Sequence, residues 1–179
     1  CEILAVDCEM DSFWSYWGRV CLMQLSDGRT EWIVDPSVLE LGPLGPIMAD
    51  PGVIKIFHDA EYDVRQMRRD FGYEFASIFD TRAAAALCGV AAPGLGSLLD
   101  EHFGVFVDKK YQRADWSKRP LSDDMLSYAQ ADVAYLHALM DLYRLKVAGL
   151  GREEILATEH ARLEKTPPSA DPYPVDNYS

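Results

Sequence analysis

Apolar positions along the chain follow first a strand repeat and then a mixture of strand and helix repeats. Residues 2–7 form an apolar run, Ile-Leu-Ala-Val, that closes on acid. Residues 19–26 are strand-compatible, Asp27-Gly28 supplies a hairpin turn, and residues 31–34 follow before Asp35-Pro36. These three segments predict an antiparallel meander. The sequence V-I-K-I-F-H over 53–58 predicts a fourth strand, and 60–71 a helix with Val64, Met67 and Phe71 on one face. A short strand is expected at 77–79, with Asp80 capping a helix over 81–87, and another helix at 95–103. Strands alternating with helices indicate parallel pairing. Residues 104–120 read as irregular. Ser122 is placed to cap a long helix reaching about residue 148, with Asp123 and Asp124 at its positive end and Gly149 at C′. A last helix spans 152–165. Residues 166–179 hold four prolines in fourteen positions, so a domain over 1–165 carries a Pro-rich tail or linker over 166–179. The class is α/β, one sheet flanked by helices.

Composition narrows this picture. At 179 residues the chain is one domain, burying about two thirds of its unfolded surface. Its longest apolar runs, such as 83–87, fall far short of the ~20 residues that span a bilayer, and no signal-peptide pattern is present, so no membrane partner is expected. The chain begins at Cys1, inside a strand pattern, and reads as a piece of a longer protein. Its four cysteines are scattered with no C-x-x-C pair, which predicts reduced thiols and a cytoplasmic setting instead of a zinc site. Seventeen Lys and Arg against 29 Asp and Glu give a net charge of −12. That excludes a coat for long duplex nucleic acid. It leaves room for an enzyme that holds a strand end through bound cations, which reverse the local sign.

The acids supply the candidate chemistry. Asp7 and Glu9 lie two apart at a strand end, hence on one face. Close carboxylates repel, burial raises their pKa values, and a divalent cation resolves the conflict by making them ligands. Alone, such a pair describes any exposed strand end; here it follows a fully apolar run, where open α/β sheets carry their sites. Asp63 sits early in the helix at 60–71, near Asp59 and Glu61; alone, such acids simply favour the helix dipole. Tyr128 and Asp132 stack four apart beside a core stripe of Leu126, Ala129, Val133, Leu136 and Met140. Together, Asp7, Glu9, Asp63 and Asp132 are hard oxygen ligands suited to two divalent cations, Mg²⁺ or Mn²⁺, and not to zinc.

Six motifs in order, A-V-D-C-E-M, L-M-Q-L-S-D-G, K-I-F-H-D-A-E-Y-D, F-D-T, D-W-S-K-R-P-L-S and Y-A-Q-A-D-V-A-Y-L, cover residues 1 to about 160. They resemble the DEDD-type 3′→5′ exonucleases, ribonuclease D and its relatives in particular. The resemblance implies a ribonuclease H-like fold, a five-stranded mixed sheet flanked by helices. It implies that Asp7 and Glu9 form the first acidic motif, Asp63 the second and Asp132 the third, all of them metal ligands. Tyr128 matches the tyrosine subtype; the histidine subtype would carry His where Ser127 stands. The implied reaction is two-metal hydrolysis at single-stranded 3′ ends of RNA, releasing nucleoside 5′-monophosphates. In it Asp7 bridges both ions, Glu9 and Asp132 complete one site, Asp63 holds the second ion directly or through water, and Tyr128 orients the attacking water. Cys8 and Met10 stand where the family often has Thr and Phe. Family members carry helical accessory domains after the nuclease domain, whereas this chain stops at Ser179, so substrate choice is left open.

Lys109, Lys110, Arg113, Lys118 and Arg119 against Asp108 and Asp115 make a local +3, interleaved with Tyr111 and Trp116. Basic and aromatic residues together suit phosphate contact and base stacking on single strands. The expected substrate contacts are Lys109, Lys110, Gln112, Arg113 and Trp116, with His58 near the strand end and Met10 wedged against the terminal base. Arg65, Arg68 and Arg69 read as a solvated face, and His102, His137 and His160 as structural or surface residues. Single-stranded DNA and short oligonucleotides remain alternative substrates. A catalytically inactive nucleic-acid-binding module and a small-nucleotide phosphatase are the alternatives from other classes.

Overall fold

The computed structural model describes residues 2–11 and 18–170. β1 (Ile3–Met10), β2 (Val20–Ser26) and β3 (Glu31–Val34) pair antiparallel, as the meander predicts. The β2–β3 turn uses Gly28 at φ +83°, and the Asp27 carboxylate accepts from the backbone N–H groups of Arg29 and Thr30. β4 (Ile54–Phe57) joins the other side of β1 in parallel, and β5 (Ile78–Asp80) joins β4 in parallel. The result is a five-stranded mixed sheet of order β3-β2-β1-β4-β5.

Helices cover both faces because β1 alternates. Its even positions, Leu4, Val6, Cys8 and Met10, enter a core with Val64 and Met67 of α2 (Ala60–Phe71). Its odd position Ala5 joins Ile56 in a second core with α3 (Thr81–Leu87), α4 (Leu95–Phe103) and α6 (Leu136–Gly149). A smaller cluster of Leu22, Trp116 and Ala129 lies under α5 (Asp123–Ala134). Each fully buried Leu or Val contributes roughly 1.5–3 kcal/mol. α2 stops where Gly72 takes φ +68° and donates its N–H to the Arg68 carbonyl. A short α1 (Gly45–Ala49) was not expected, and α7 (Glu153–Glu164) closes the described fold.

Three expectations need correction. The single helix expected from Ser122 to about residue 148 is two helices, broken at Tyr135 with φ −106° and ψ −1°. α5 packs on β1, β2 and β3 while α6 packs on α3, and one straight rod cannot serve both partners. The tail from residue 166 begins packed: Thr166 is buried, and Ser169 donates its N–H to the Arg65 carbonyl while its hydroxyl accepts from the Gln66 amide. Residues 171–179 of that tail lie outside the described residues. Arg68 and Arg69 are not a solvated face. Arg68 pairs with Glu74 at 2.7 Å and donates to the Glu164 carbonyl; Arg69 pairs with Asp70 at 2.7 Å and donates to the Gly18 carbonyl. No helix among the described residues is long and apolar enough to cross a membrane.

Candidate active site

The odd face of β1 carries Asp7 and Glu9 just beyond the fully buried Ala5 and Val6. α5 lies across this face. Its Ser122 cap accepts the Met125 N–H at 3.2 Å, and Asp123 and Asp124 fill its first turn. That placement brings Asp132 down onto β1. One carboxylate oxygen from each of Asp7, Glu9 and Asp132 lies within 4.8 Å of the others. Tyr128, one turn earlier on the same helix, stands beside the trio.

Asp63 reaches the acids from α2, which covers the opposite face of the sheet. It is buried and is not a member of the tight trio. Its helix is fixed by a shared cap. The Asp80 carboxylate, at the end of β5, accepts the N–H groups of Asp59 (3.2 Å) and Ala60 (2.8 Å), opening α2. It also accepts those of Arg82 (2.8 Å) and Ala83 (3.1 Å), opening α3. Asp80 therefore caps a helix as expected, and a second one besides. Asp59 holds a left-handed backbone, φ +69°, with its carboxylate 2.7 Å from Arg82.

Electrostatics turn this geometry into a cation site. Burial is the largest cause raising the pKa of Asp7, opposed by a backbone hydrogen bond from Cys8. Burial also raises Glu9, followed by the charges of Asp7, Asp132 and Asp63. Asp132 is raised by burial and then by Asp7, and Asp63 by burial and then by Asp7, Asp59, Asp80 and Asp132. Asp63 is buried and Asp7, Glu9 and Asp132 are half-buried; the four carboxylates disfavour one another's charged forms, so a hard divalent cation fits the donor set.

One consequence is measurable. A carboxyl whose pKa is raised by folding contributes stability below the unfolded value of ~4.3 and loses it as pH rises. In EDTA, Glu9→Gln should therefore raise Tm at pH 8 by on the order of 5 °C, each kcal/mol being worth roughly 2–4 °C at this size. The gain should shrink at pH 5. Thermal melts at the two pH values check it; an unchanged or lower Tm at pH 8 would show that these carboxylates do not strain the metal-free fold.

Tyr128 is half-buried between two aromatic rings of the basic segment. Tyr111 meets it edge-on at 5.9 Å, and Trp116 lies 6.1 Å away, tilted by 35°. Burial and the charges of Asp132, Glu9 and Asp7 push the Tyr128 phenol well above its ordinary range, so it stays protonated. Arg119 anchors the segment: it pairs with Asp35 at 2.6 Å and donates to the carbonyls of Trp116 and Cys21. Lys118 pairs with Asp115 at 3.4 Å. Lys109, Lys110, Gln112 and Arg113 face solvent, with the Lys110 ammonium 4.8 Å from the Tyr111 ring centre.

Two of the expected substrate contacts are corrected here. Trp116 is 1% exposed and packs on Leu22, Ala129 and Tyr128, so it supports Tyr128 instead of stacking on a base. Met10 is buried in the α2-side core, because its parity puts it on the face opposite Asp7 and Glu9. His58 is half-buried, with its Nδ1 2.9 Å from the Thr81 hydroxyl. That hydroxyl donates to the Phe57 carbonyl, so it accepts from His58. His102 and His160 are structural, bonded to the Tyr143 hydroxyl and the Asp80 N–H. Tyr111 as a wall for Tyr128 was missed; its aromatic spacing from Trp116 was the available signal.

Carboxylates converging at the end of a central strand, in a sheet of this order, define a divalent-cation site of the kind that nucleases build on a ribonuclease H-like fold. Comparison with known proteins narrows the class. Residues 1–147 match the family described as 3′-5′ exonuclease, and the chain belongs to that family. It is 39% identical over 156 residues to exosome complex component 10 of Mus musculus, covering 86% of this chain and 18% of the mouse protein. It resembles the crystal structure of Escherichia coli RNase D, described as an exoribonuclease involved in structured RNA processing, with TM-score 0.84 and 30% identity. That likeness covers 91% of this chain and 44% of the E. coli one. Brucella melitensis NrnC with bound Mg²⁺ aligns with TM-score 0.83 and 25% identity over 92% of this chain and 83% of its own; NrnC has also been solved bound to pGG. The chain thus spans about a fifth of the mouse relative's length.

Proposed function

We propose that this chain is the nuclease domain of a ribonuclease D-like enzyme that removes nucleotides one at a time from single-stranded 3′ ends of RNA. The observation that carries the reading is the convergence of Asp7, Glu9 and Asp132 oxygens within 4.8 Å, close enough to Tyr128 for their charges to act on its phenol. Asp7, Glu9 and Asp132 would hold one cation, and Asp63 together with Asp7 a second. When bound, Mg²⁺ or Mn²⁺ supplies an activated water and stabilises charge on the leaving oxygen.

The chain's own residues do the positioning. The three carboxylates come from two elements fixed by α5 packing on the sheet, so their spacing is set before substrate arrives. A protonated Tyr128 is a donor, suited to orienting the attacking water or a phosphate oxygen and not to removing a proton. Exposed Lys109, Lys110 and Arg113 offer phosphate contacts near Tyr128, in a chain whose remaining surface is acidic. Such a surface favours a strand end held at the cation site over lengthwise duplex binding. Short oligonucleotides are a second reading of the same site, favoured by the likeness to NrnC in its pGG-bound form; single-stranded DNA is to be compared alongside.

Tyr128→Phe should lower kcat about 10–100-fold, the scale of a lost positioning hydrogen bond at the reacting group, with KM changed less than about 3-fold. Initial rates on a single-stranded RNA of about ten nucleotides, with chromatographic identification of the product, test both statements. Nucleoside 5′-monophosphates are expected; internal fragments would refute the exonuclease reading, and an unchanged kcat would remove Tyr128 from it.

A further inference from the structure

We propose that Gln24 is a positioning residue for the cation site: its carboxamide holds the Asp7 carboxylate in its ligating orientation when a divalent cation is bound. This rests on the metal-nuclease reading above. Gln24 lies on β2 directly across from Asp7, with Ile33 as its partner on the other side. Residues opposite one another on paired strands share a face, with Cβ atoms roughly 4.5–5.5 Å apart. Asp7 is therefore the polar side chain directly across from Gln24, on the face that α5 covers.

Gln24 is fully buried, and neither its Oε1 nor its Nε2 has a hydrogen-bond partner in the protein. Turning the amide over changes nothing, since both ends are orphaned. An unpaired buried polar group costs stability, so the fold would be served better by Leu or Met at this position. The neighbouring rung shows the alternative: Leu22, apolar, stands opposite Glu9. A polar side chain in this costly position, at the register site across from the acid expected to bridge two ions, has its use in the loaded site. With cations held there, the Asp7 carboxylate would still have lone pairs outside its metal contacts to accept from the Gln24 Nε2–H groups. Hydrogen bonds from outside the ligand set commonly tune metal affinity 10–100-fold.

The test separates this from a packing role by giving stability and affinity opposite signs. Wild type, Gln24→Met and Gln24→Leu are compared by thermal melting in EDTA and by calorimetric titration with Mn²⁺ alone. The expected result is an unchanged or higher Tm in EDTA for both variants, together with Mn²⁺ binding weakened about 10-fold or more. Equal Mn²⁺ affinity in wild type and either folded variant overturns the inference. So does a lowered Tm in EDTA for both variants, which would mark Gln24 as packing. If wild type itself binds no Mn²⁺, the metal-nuclease reading fails, and this inference with it.

Discussion

Asp7→Asn should lower the rate of RNA hydrolysis by about 10³-fold or more while the protein stays folded. Asp7 contributes to the oxygen trio and is the largest charge felt by Asp63, so it sits between both halves of the acid cluster. Asparagine keeps the shape and removes the charge. If Asp7 ligates both proposed cations, its loss forfeits several kcal/mol of transition-state stabilisation, and each 1.36 kcal/mol is tenfold in rate. Folding should not suffer, because partial burial already disfavours the charged form of Asp7 without metal. Circular dichroism and a melt in EDTA establish the fold, and single-turnover rates in Mg²⁺ and Mn²⁺ establish the loss. Activity within tenfold of wild type would place the reaction elsewhere.

The second large effect falls on stability. Trp116→Ala should destabilise by about 3–5 kcal/mol, the range for truncating a buried aromatic residue, and lower Tm by roughly 6–20 °C. Trp116 is 1% exposed and fills the space between Leu22 on the sheet and Ala129 on α5, with Tyr128 against it. Its loss should loosen α5 where Tyr128 and Asp132 are held, so kcat should fall more than RNA affinity. Trp116→Phe should recover most of both. Melts and a KM-against-kcat comparison decide the matter: an unchanged Tm with weakened RNA binding would restore the base-stacking role that the basic segment's composition first suggested.

Much of the architecture was readable because it follows from periodicity. The change from period two to alternating strand and helix patterns marks the change from antiparallel to parallel pairing between β1–β3 and β4–β5. Asp7 and Glu9 share a face by parity, and Tyr128 and Asp132 share one by helical spacing, so each pair could be placed before their meeting was known. The same parity rule, applied to Met10, would have sent it to the core with Leu4, Val6 and Cys8.

What was not readable depends on distant partners. The apolar stripe from Leu126 to Met140 runs unbroken through Tyr135; only the different partners of α5 and α6 break the helix there. Arg68 and Arg69 look like a solvated run until Glu164 and Gly18 are brought to them. An aromatic residue in a basic segment reads alike whether it stacks on a base or packs beneath a helix, and burial alone separates Trp116 from the exposed Lys109 and Arg113.

On the proposed reading, the acid cluster cuts nucleotides from a 3′ end in a cation-dependent way. Its most direct test is a 5′-labelled single-stranded RNA incubated with the protein in Mg²⁺ or Mn²⁺ and resolved on a denaturing gel, with a DNA strand of the same sequence alongside. The expected result is a ladder shortening one nucleotide at a time from the 3′ end, abolished by EDTA. An intact strand with folded, metal-loaded protein, or cleavage that persists in EDTA, would contradict it.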